Sequence, residues 1–211
     1  MLLMLAFADF VALVGCSAVI VECLSNIAVV FMLPMLPVVS FVTLMTSIPV
    51  DRLAITYPVA AEDYFGKSKL SAFLSWFLIN LLLIPRKRDE KNPKRDPIFI
   101  MDSYLKNGKS LIFFPEGSRG KAGKIQVFKK GLGHLMKKNM NIPIVPVYLE
   151  GIGRVLPKGN KIMLPGITKI YFGTPIFLEN ESVEEIVEKA ENAVHDLKNR
   201  CDNNNSSNLR E

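Results

Sequence analysis

Phe113-Phe114-Pro115-Glu116-Gly117-Ser118-Arg119-Gly120 closes an apolar run, residues 110–114, with a turn that carries a carboxylate and a guanidinium three residues apart. A short apolar run ended by proline and glycine reads as a buried strand. Proline fixes φ at the turn's entry, and glycine admits backbone conformations closed to other residues. Opposed charges at a strand's exit are of little use for packing. They suit the handling of an anion at the end of a sheet.

Outward from that strand, strands and helices alternate from about Phe41. Residues 53–61 read as a strand, with Pro58 placing it at an edge or bending it. Residues 69–83 have apolar side chains at helical spacing, and Trp76, Ile79 and Leu83 widen the stripe beyond one face. Such a helix either lies between layers or dips into a lipid headgroup boundary. Pro85 ends it and opens the charged run Arg86–Arg95, where a guanidinium of Arg86 or Arg88 is placed to turn toward a phosphate.

Residues 97–107 predict a short helix stopped by Asn107-Gly108, and residues 126–140 predict another. Gly131 and Gly133 weaken the second, which implies close approach of another backbone. Residues 142–148 form a continuously apolar strand, as in a sheet covered on both faces, that bulges or ends at Pro146. Ser182-x-x-Glu185 is a capping box, and Val183, Ile186, Val187, Ala190, Val194 and Leu197 then mark one helical face. The polar tail after residue 198 predicts disorder.

The N-terminal region has a different character. Across residues 1–50 the only charged side chains are Asp9 and Glu22. Two apolar runs, residues 10–21 and 27–39, each fall short of the roughly 20 residues that cross a bilayer. They form either a membrane-associating segment or an element buried in the protein. The expected organisation is an apolar segment over residues 1–40, a domain over 41–198 and a tail over 199–211.

The chain has 211 residues and a net charge of +6, which favours anionic partners, phosphorylated small molecules or a membrane surface. Cys16, Cys23 and Cys201 form no ligand spacing and no even disulfide set, which implies a reducing compartment. Several nucleotide and metal motifs fail. Five residues separate Gly117 from Gly123 where a phosphate loop needs four, and Ile125 follows Lys124 where Ser or Thr is required. Gly131-Leu-Gly133 lacks the third glycine of a dinucleotide fingerprint. The basic run at 86–95 has no aromatic residue, which argues against nucleic-acid binding.

The order of segments resembles the glycerolipid acyltransferase family, which makes phosphatidate from 1-acylglycerol-3-phosphate. Phe114-Pro115-Glu116-Gly117-Ser118-Arg119 matches that family's Phe-Pro-Glu-Gly-Thr/Ser-Arg block. Phe128-Lys129-Lys130-Gly131 resembles its Phe-Lys-x-Gly, and Ile144-Val145-Pro146-Val147 its Val-Pro-Val block. Ile84-Pro85-Arg86-Lys87-Arg88 and Phe172-Gly173-Thr174-Pro175-Ile176 are looser matches. The resemblance implies an α/β fold with a mixed, largely parallel sheet and helices on both faces, preceded by a short apolar membrane-associating segment. It further implies acyl transfer, at the cytoplasmic face of a membrane, to a lysophospholipid or glycerol phosphate. The acyl donor is acyl-CoA or acyl carrier protein, and no cofactor is needed. The residues so implied to hold the acceptor are Arg86, Arg88, Phe114, Pro115, Glu116, Gly117, Ser118, Arg119 and Pro146.

The family's general base is the histidine of a His-x-x-x-x-Asp block, its imidazole oriented by the aspartate. Here His134 is followed five positions on by Asn139, and His195 by Arg200. Family spacing places the block near residues 35–40, which read Met35-Leu-Pro-Val-Val-Ser40. No catalytic residue is therefore identified. Two explanations fit: the family's usual N-terminal part has been lost or replaced, or the chain is a membrane-attached relative that keeps an acceptor-binding edge without catalysis.

Overall fold

Ser110 donates its backbone N–H to the Ile55 carbonyl at 2.8 Å, and from this bond two parallel strands run on together. The computed structural model describes residues 2–6, 48–62, 80–86, 92–117, 124–151 and 168–207. The described strands are β1 (Leu2–Ala6), β2 (Thr56–Ala61), β3 (Leu82–Ile84), β4 (Ser110–Phe113), β5 (Ile144–Glu150) and β6 (Lys169–Phe172). The described helices are α1 (Val50–Leu53), α2 (Pro97–Lys106), α3 (Gly131–Lys137) and α4 (Val183–Ser207).

The strands form one sheet in the order β3-β2-β4-β1-β5-β6. β2 runs parallel to β3 and β4, whereas β1 is antiparallel to both β4 and β5. β5 therefore runs with β4, and β6 is antiparallel to it. The sheet is mixed, with four strands pointing one way. β1 lies at its centre, although residues 1–40 read as an appendage in the sequence. Met4 of β1 faces Phe113 on one side and Pro146 on the other.

Both strand prolines lie inside the sheet. Because Ile55 turns its carbonyl to β4, alternation turns the nitrogen of Pro58 to the opposite flank, where β3 joins only at Val59. The missing donor thus falls where no partner strand stands. Pro146 neither ends β5 nor bulges it, contrary to the sequence expectation, and its register against β1 is continuous. Its carbonyl accepts from Gly173 at 2.8 Å, one residue past the end of β6. The extra residue sits on the partner side, because Ile144 bridges Ile176 and two steps along β5 meet three along Gly173–Ile176. A Cβ at Gly173 would lie 2.8 Å from the Pro146 ring, so only glycine lets that ring pack there.

One sheet face meets α2, α3 and α4 through Leu111, Ile144 and Tyr148, which cluster with Leu105, Leu132, Leu135, Ile186, Ala190, Val194 and Cys201. Ile112, Val147 and Ile170 alternate onto the other face and are also fully buried. Burial on both faces explains the unbroken apolar sequence of β5. Each fully buried aliphatic side chain contributes about 1.5–3 kcal/mol.

The helix ends follow their sequence signals. Asp96 caps α2 by accepting from the Ile98 N–H at 2.9 Å, with Pro97 in the first turn, and Gly108 leaves the helix at φ 68°. Ser182 and Glu185 exchange bonds of 2.7 and 3.3 Å at the start of α4, as a capping box requires. Gly133 brings α3 against α4, since a Cβ there would be driven into the Val183 carbonyl. Gly131 has open space around it, so only one of the two glycines marks a close approach.

Three boundaries differ from expectation. Leu82 and Leu83 lie in β3, not in a helix, and Asn80 at φ 51° precedes them; the rest of 69–83 up to residue 79 is outside the described residues. α3 starts at Gly131 instead of residue 126 because three preceding N–H groups have tertiary partners. Gln126 donates to Glu116, Phe128 to Glu191 and Lys129 to the Pro115 carbonyl. At the other end α4 runs through Ser207, past the boundary at 198 drawn from polar composition.

Candidate functional site

The exits of β2, β3 and β4 lie along one sheet edge, the usual place for ligands in open α/β sheets. β4 leaves that edge through Phe114, Pro115, Glu116 and Gly117. The Gly117 N–H closes the turn on the Phe114 carbonyl at 3.0 Å, and Gly117 stands at φ 67°, a conformation that favours glycine. Phe114 is half-buried and Pro115 buried.

Glu116 is only 4% exposed, yet it is a carboxylate. Its Oε2 accepts from the Gln126 N–H at 3.0 Å, which ties the turn to the segment leading into α3. A second tie joins the Lys129 N–H to the Pro115 carbonyl at 2.9 Å. These bonds bring the Lys129 side chain across Gly117: a Cβ built at Gly117 would lie 2.8 Å from Lys129 Nζ and 2.9 Å from Cε. Lys130 turns the other way and pairs with Glu184 at 2.7 Å. A buried, backbone-anchored carboxylate beside a solvent-reaching ammonium can orient a ligand that has both hydroxyl and anionic groups.

The remaining sequence candidates fall in different places. Arg86 is exposed just beyond β3, on the same edge as Glu116, with β2 between their strands. Two strand spacings amount to roughly 10 Å. Arg88, Ser118 and Arg119 lie outside the described residues. Pro146 is level with Phe113 across β1, and its ring packs on Gly173 and near Leu197, inside the sheet. Both histidines are exposed on helices, His134 on α3 and His195 on α4. Among the described residues no group of three or more His, Cys, Asp or Glu could hold a metal ion. No helix among them is long and apolar enough to cross a membrane.

Lys129 lies within the Phe-Lys-x-Gly match, but nothing in the sequence alone puts it at the site. The match singles out Lys129 over Lys130 but gives it no place in space, and the bond to Pro115 shows that it faces the turn. Gln126 was likewise invisible, because it acts through its backbone.

The family model described as Acyltransferase matches residues 49–150, a span that holds β2 to β5 and the Glu116 turn. The curated proteins that the chain resembles are 1-acyl-sn-glycerol-3-phosphate acyltransferases, in line with the glycerolipid acyltransferase resemblance of its sequence blocks. It is 28% identical over 143 residues to a chloroplastic 1-acyl-sn-glycerol-3-phosphate acyltransferase of Brassica napus, covering 65% of this chain and 41% of that one. A chloroplastic enzyme of the same name from Arabidopsis thaliana is 32% identical over 104 residues, covering 49% and 29%. The 1-acyl-sn-glycerol-3-phosphate acyltransferase of Pseudomonas aeruginosa is 29% identical over 119 residues, covering 55% and 45%. The chain thus spans less than half the length of these curated relatives. Its fold is that of the 1-acyl-sn-glycerophosphate acyltransferase PlsC of Thermotoga maritima, with a TM-score of 0.51 and 23% identity over 69% of this chain and 56% of that one.

Proposed function

We propose that this chain is an acyltransferase-like protein of phospholipid biosynthesis that grips a lysophospholipid acceptor at the Glu116 turn and transfers acyl groups slowly or not at all. The family reaction moves an acyl group from acyl-CoA or acyl carrier protein to the free hydroxyl of 1-acylglycerol-3-phosphate. The acyl thioester bond breaks, an ester forms, and the hydroxyl proton must leave for a base. In this reading Glu116 orients the acceptor, while Arg119 with Arg86 or Arg88 faces its phosphate.

The observation that carries the reading is the turn itself: a carboxylate at 4% exposure, fixed by a backbone N–H, at the mouth of a sheet. The 211 residues hold no His-x-x-x-x-Asp. Loss of a positioned general base costs about 10²–10⁴-fold in rate. No cofactor is required, since the donor is itself a substrate. The acceptor and product are membrane lipids, so the working location in this reading is a membrane surface, on its cytoplasmic side.

Binding without turnover is the test. Lysophosphatidate should bind the 211-residue chain and lose affinity on Arg119→Ala. Coenzyme A should be released from acyl-CoA at least about 10²-fold more slowly than by an acyltransferase that has its base. A chain that neither binds lysophosphatidate nor responds to Arg119→Ala contradicts the reading. The missing base also favours a second reading, a non-catalytic lysophospholipid- or acyl-carrier-binding protein at the membrane. It predicts the same binding with no coenzyme A release under any condition.

A further inference from the structure

We infer that Lys129 is a phosphate-holding residue of the acceptor site, a role that rests on the proposed function and adds a cation to it from outside the Pro-Glu-Gly-Ser-Arg turn. Lys129 and Lys130 are neighbours with opposite uses. The Lys130 ammonium is taken by Glu184 at 2.7 Å and helps fasten the loop to α4. Among the described residues the Lys129 ammonium has no hydrogen-bond acceptor and no carboxylate partner. Its backbone is nonetheless fixed, because its N–H is bonded to the Pro115 carbonyl at 2.9 Å.

The side chain lies along Gly117, with Cδ, Cε and Nζ all 2.8–2.9 Å from where a Cβ would stand. A long, exposed lysine usually extends into water, where its ammonium is best hydrated and most of its rotamers are open. Here it lies against the turn beside the buried Glu116. Glycine at residue 117 therefore does two things: it adopts φ 67° and it leaves the surface bare for the lysine stem. An anion seated at the β4 exit would meet this ammonium. Lys suits a phosphate monoester as a compact point charge with three donors. The ligand class is a glycerol-linked phosphate monoester, as in a lysophospholipid headgroup or free glycerol phosphate.

The experiment measures equilibrium binding of lysophosphatidate, glycerol 3-phosphate and uncharged 1-acylglycerol to the full chain and to Lys129→Met, Lys129→Arg and Lys130→Met. Lys129→Met should weaken lysophosphatidate binding roughly ten- to a hundredfold, as loss of a charged hydrogen bond implies, and leave 1-acylglycerol unchanged. Lys129→Arg should recover much of the loss, and Lys130→Met should bind like the parent. Glycerol 3-phosphate that responds to Lys129→Met as lysophosphatidate does identifies the headgroup as what is held. A parent chain that binds 1-acylglycerol as well as lysophosphatidate overturns the proposed function and this inference with it. A parent that prefers lysophosphatidate while Lys129→Met and Lys130→Met behave alike overturns the Lys129 role alone. Thermal melting of each variant separates lost affinity from lost fold, and Lys129→Arg carries the test if Lys129→Met melts early.

Discussion

The Glu116 carboxylate accepts from the Gln126 backbone N–H at 3.0 Å, a bond that bridges ten residues and ties the strand exit to the approach of α3. It makes Glu116 a structural tie as well as a candidate ligand. Glu116→Ala would leave the Gln126 N–H without its acceptor. The expected loss is about 1–3 kcal/mol, measured by chemical denaturation. Glu116→Gln keeps an oxygen at the same place, so it should retain most of that stability while binding lysophosphatidate more weakly.

Gly133 and Gly131 give a contrasting pair. A methyl at Gly133 meets the Val183 carbonyl, so Gly133→Ala should destabilise by about 1–3 kcal/mol, as overpacking does. Gly131 has nothing within 4 Å of an added Cβ, and alanine there should be neutral or stabilising by up to about 1 kcal/mol. Equal effects of the two substitutions would mean that α3 and α4 are not held this close.

Asp102 sets an expectation for acid stability. Burial opposes its charge, but hydrogen bonds from Lys106 and Asn139 and the charges of Lys106 and Lys138 outweigh it, holding the carboxyl below the usual 3.8. A carboxyl depressed in the fold stabilises it above its unfolded pKa and loses that stabilisation as pH falls through the folded value. Asp102→Asn should lower stability at neutral pH, where the Lys106 bond at 2.8 Å is lost. It should also flatten the decline in melting temperature below about pH 4. An unchanged acid limb would show that other carboxylates dominate it.

Cys201 should be inert in the folded chain. It donates to Glu150 Oε2 at 3.1 Å, as Tyr171 does from its hydroxyl at the same distance. Burial and the Glu150 carboxylate push the thiol up to about 11, against a lowering effect from Tyr171. In a Cys16→Ser, Cys23→Ser background, alkylation at pH 8 should be about a hundredfold slower than in denaturant, since only the thiolate reacts. Rapid native labelling would place Cys201 elsewhere.

Much of this arrangement is legible in the sequence, for physical reasons that vary by element. β4, β5 and the helices α2 and α4 announce themselves through apolar runs, Asn107-Gly108 and Ser182-x-x-Glu185, whereas the Asp96 cap of α2 emerges only from the structure. The Glu116 turn is visible because proline, glycine and opposed charges have few other uses at a strand's end. β1 is hidden because Leu2–Ala6 opens fifty residues of nearly uncharged sequence, where composition cannot separate a sheet strand from a lipid-facing run. The late start of α3 depends on long-range acceptors, Glu116, Glu191 and the Pro115 carbonyl, that no local pattern reveals. Lys129 is hidden for the same reason: its direction is set by Pro115, fourteen residues earlier.

The central claim, an acceptor grip without a proton acceptor, is tested most directly by measuring lysophosphatidate affinity and coenzyme A release on the same sample of the 211-residue chain. The account predicts saturable binding that weakens on charge reversal at Glu116 and Arg119, with coenzyme A release at background. Release at rates ordinary for an acyltransferase, abolished by Glu116→Ala, would contradict it.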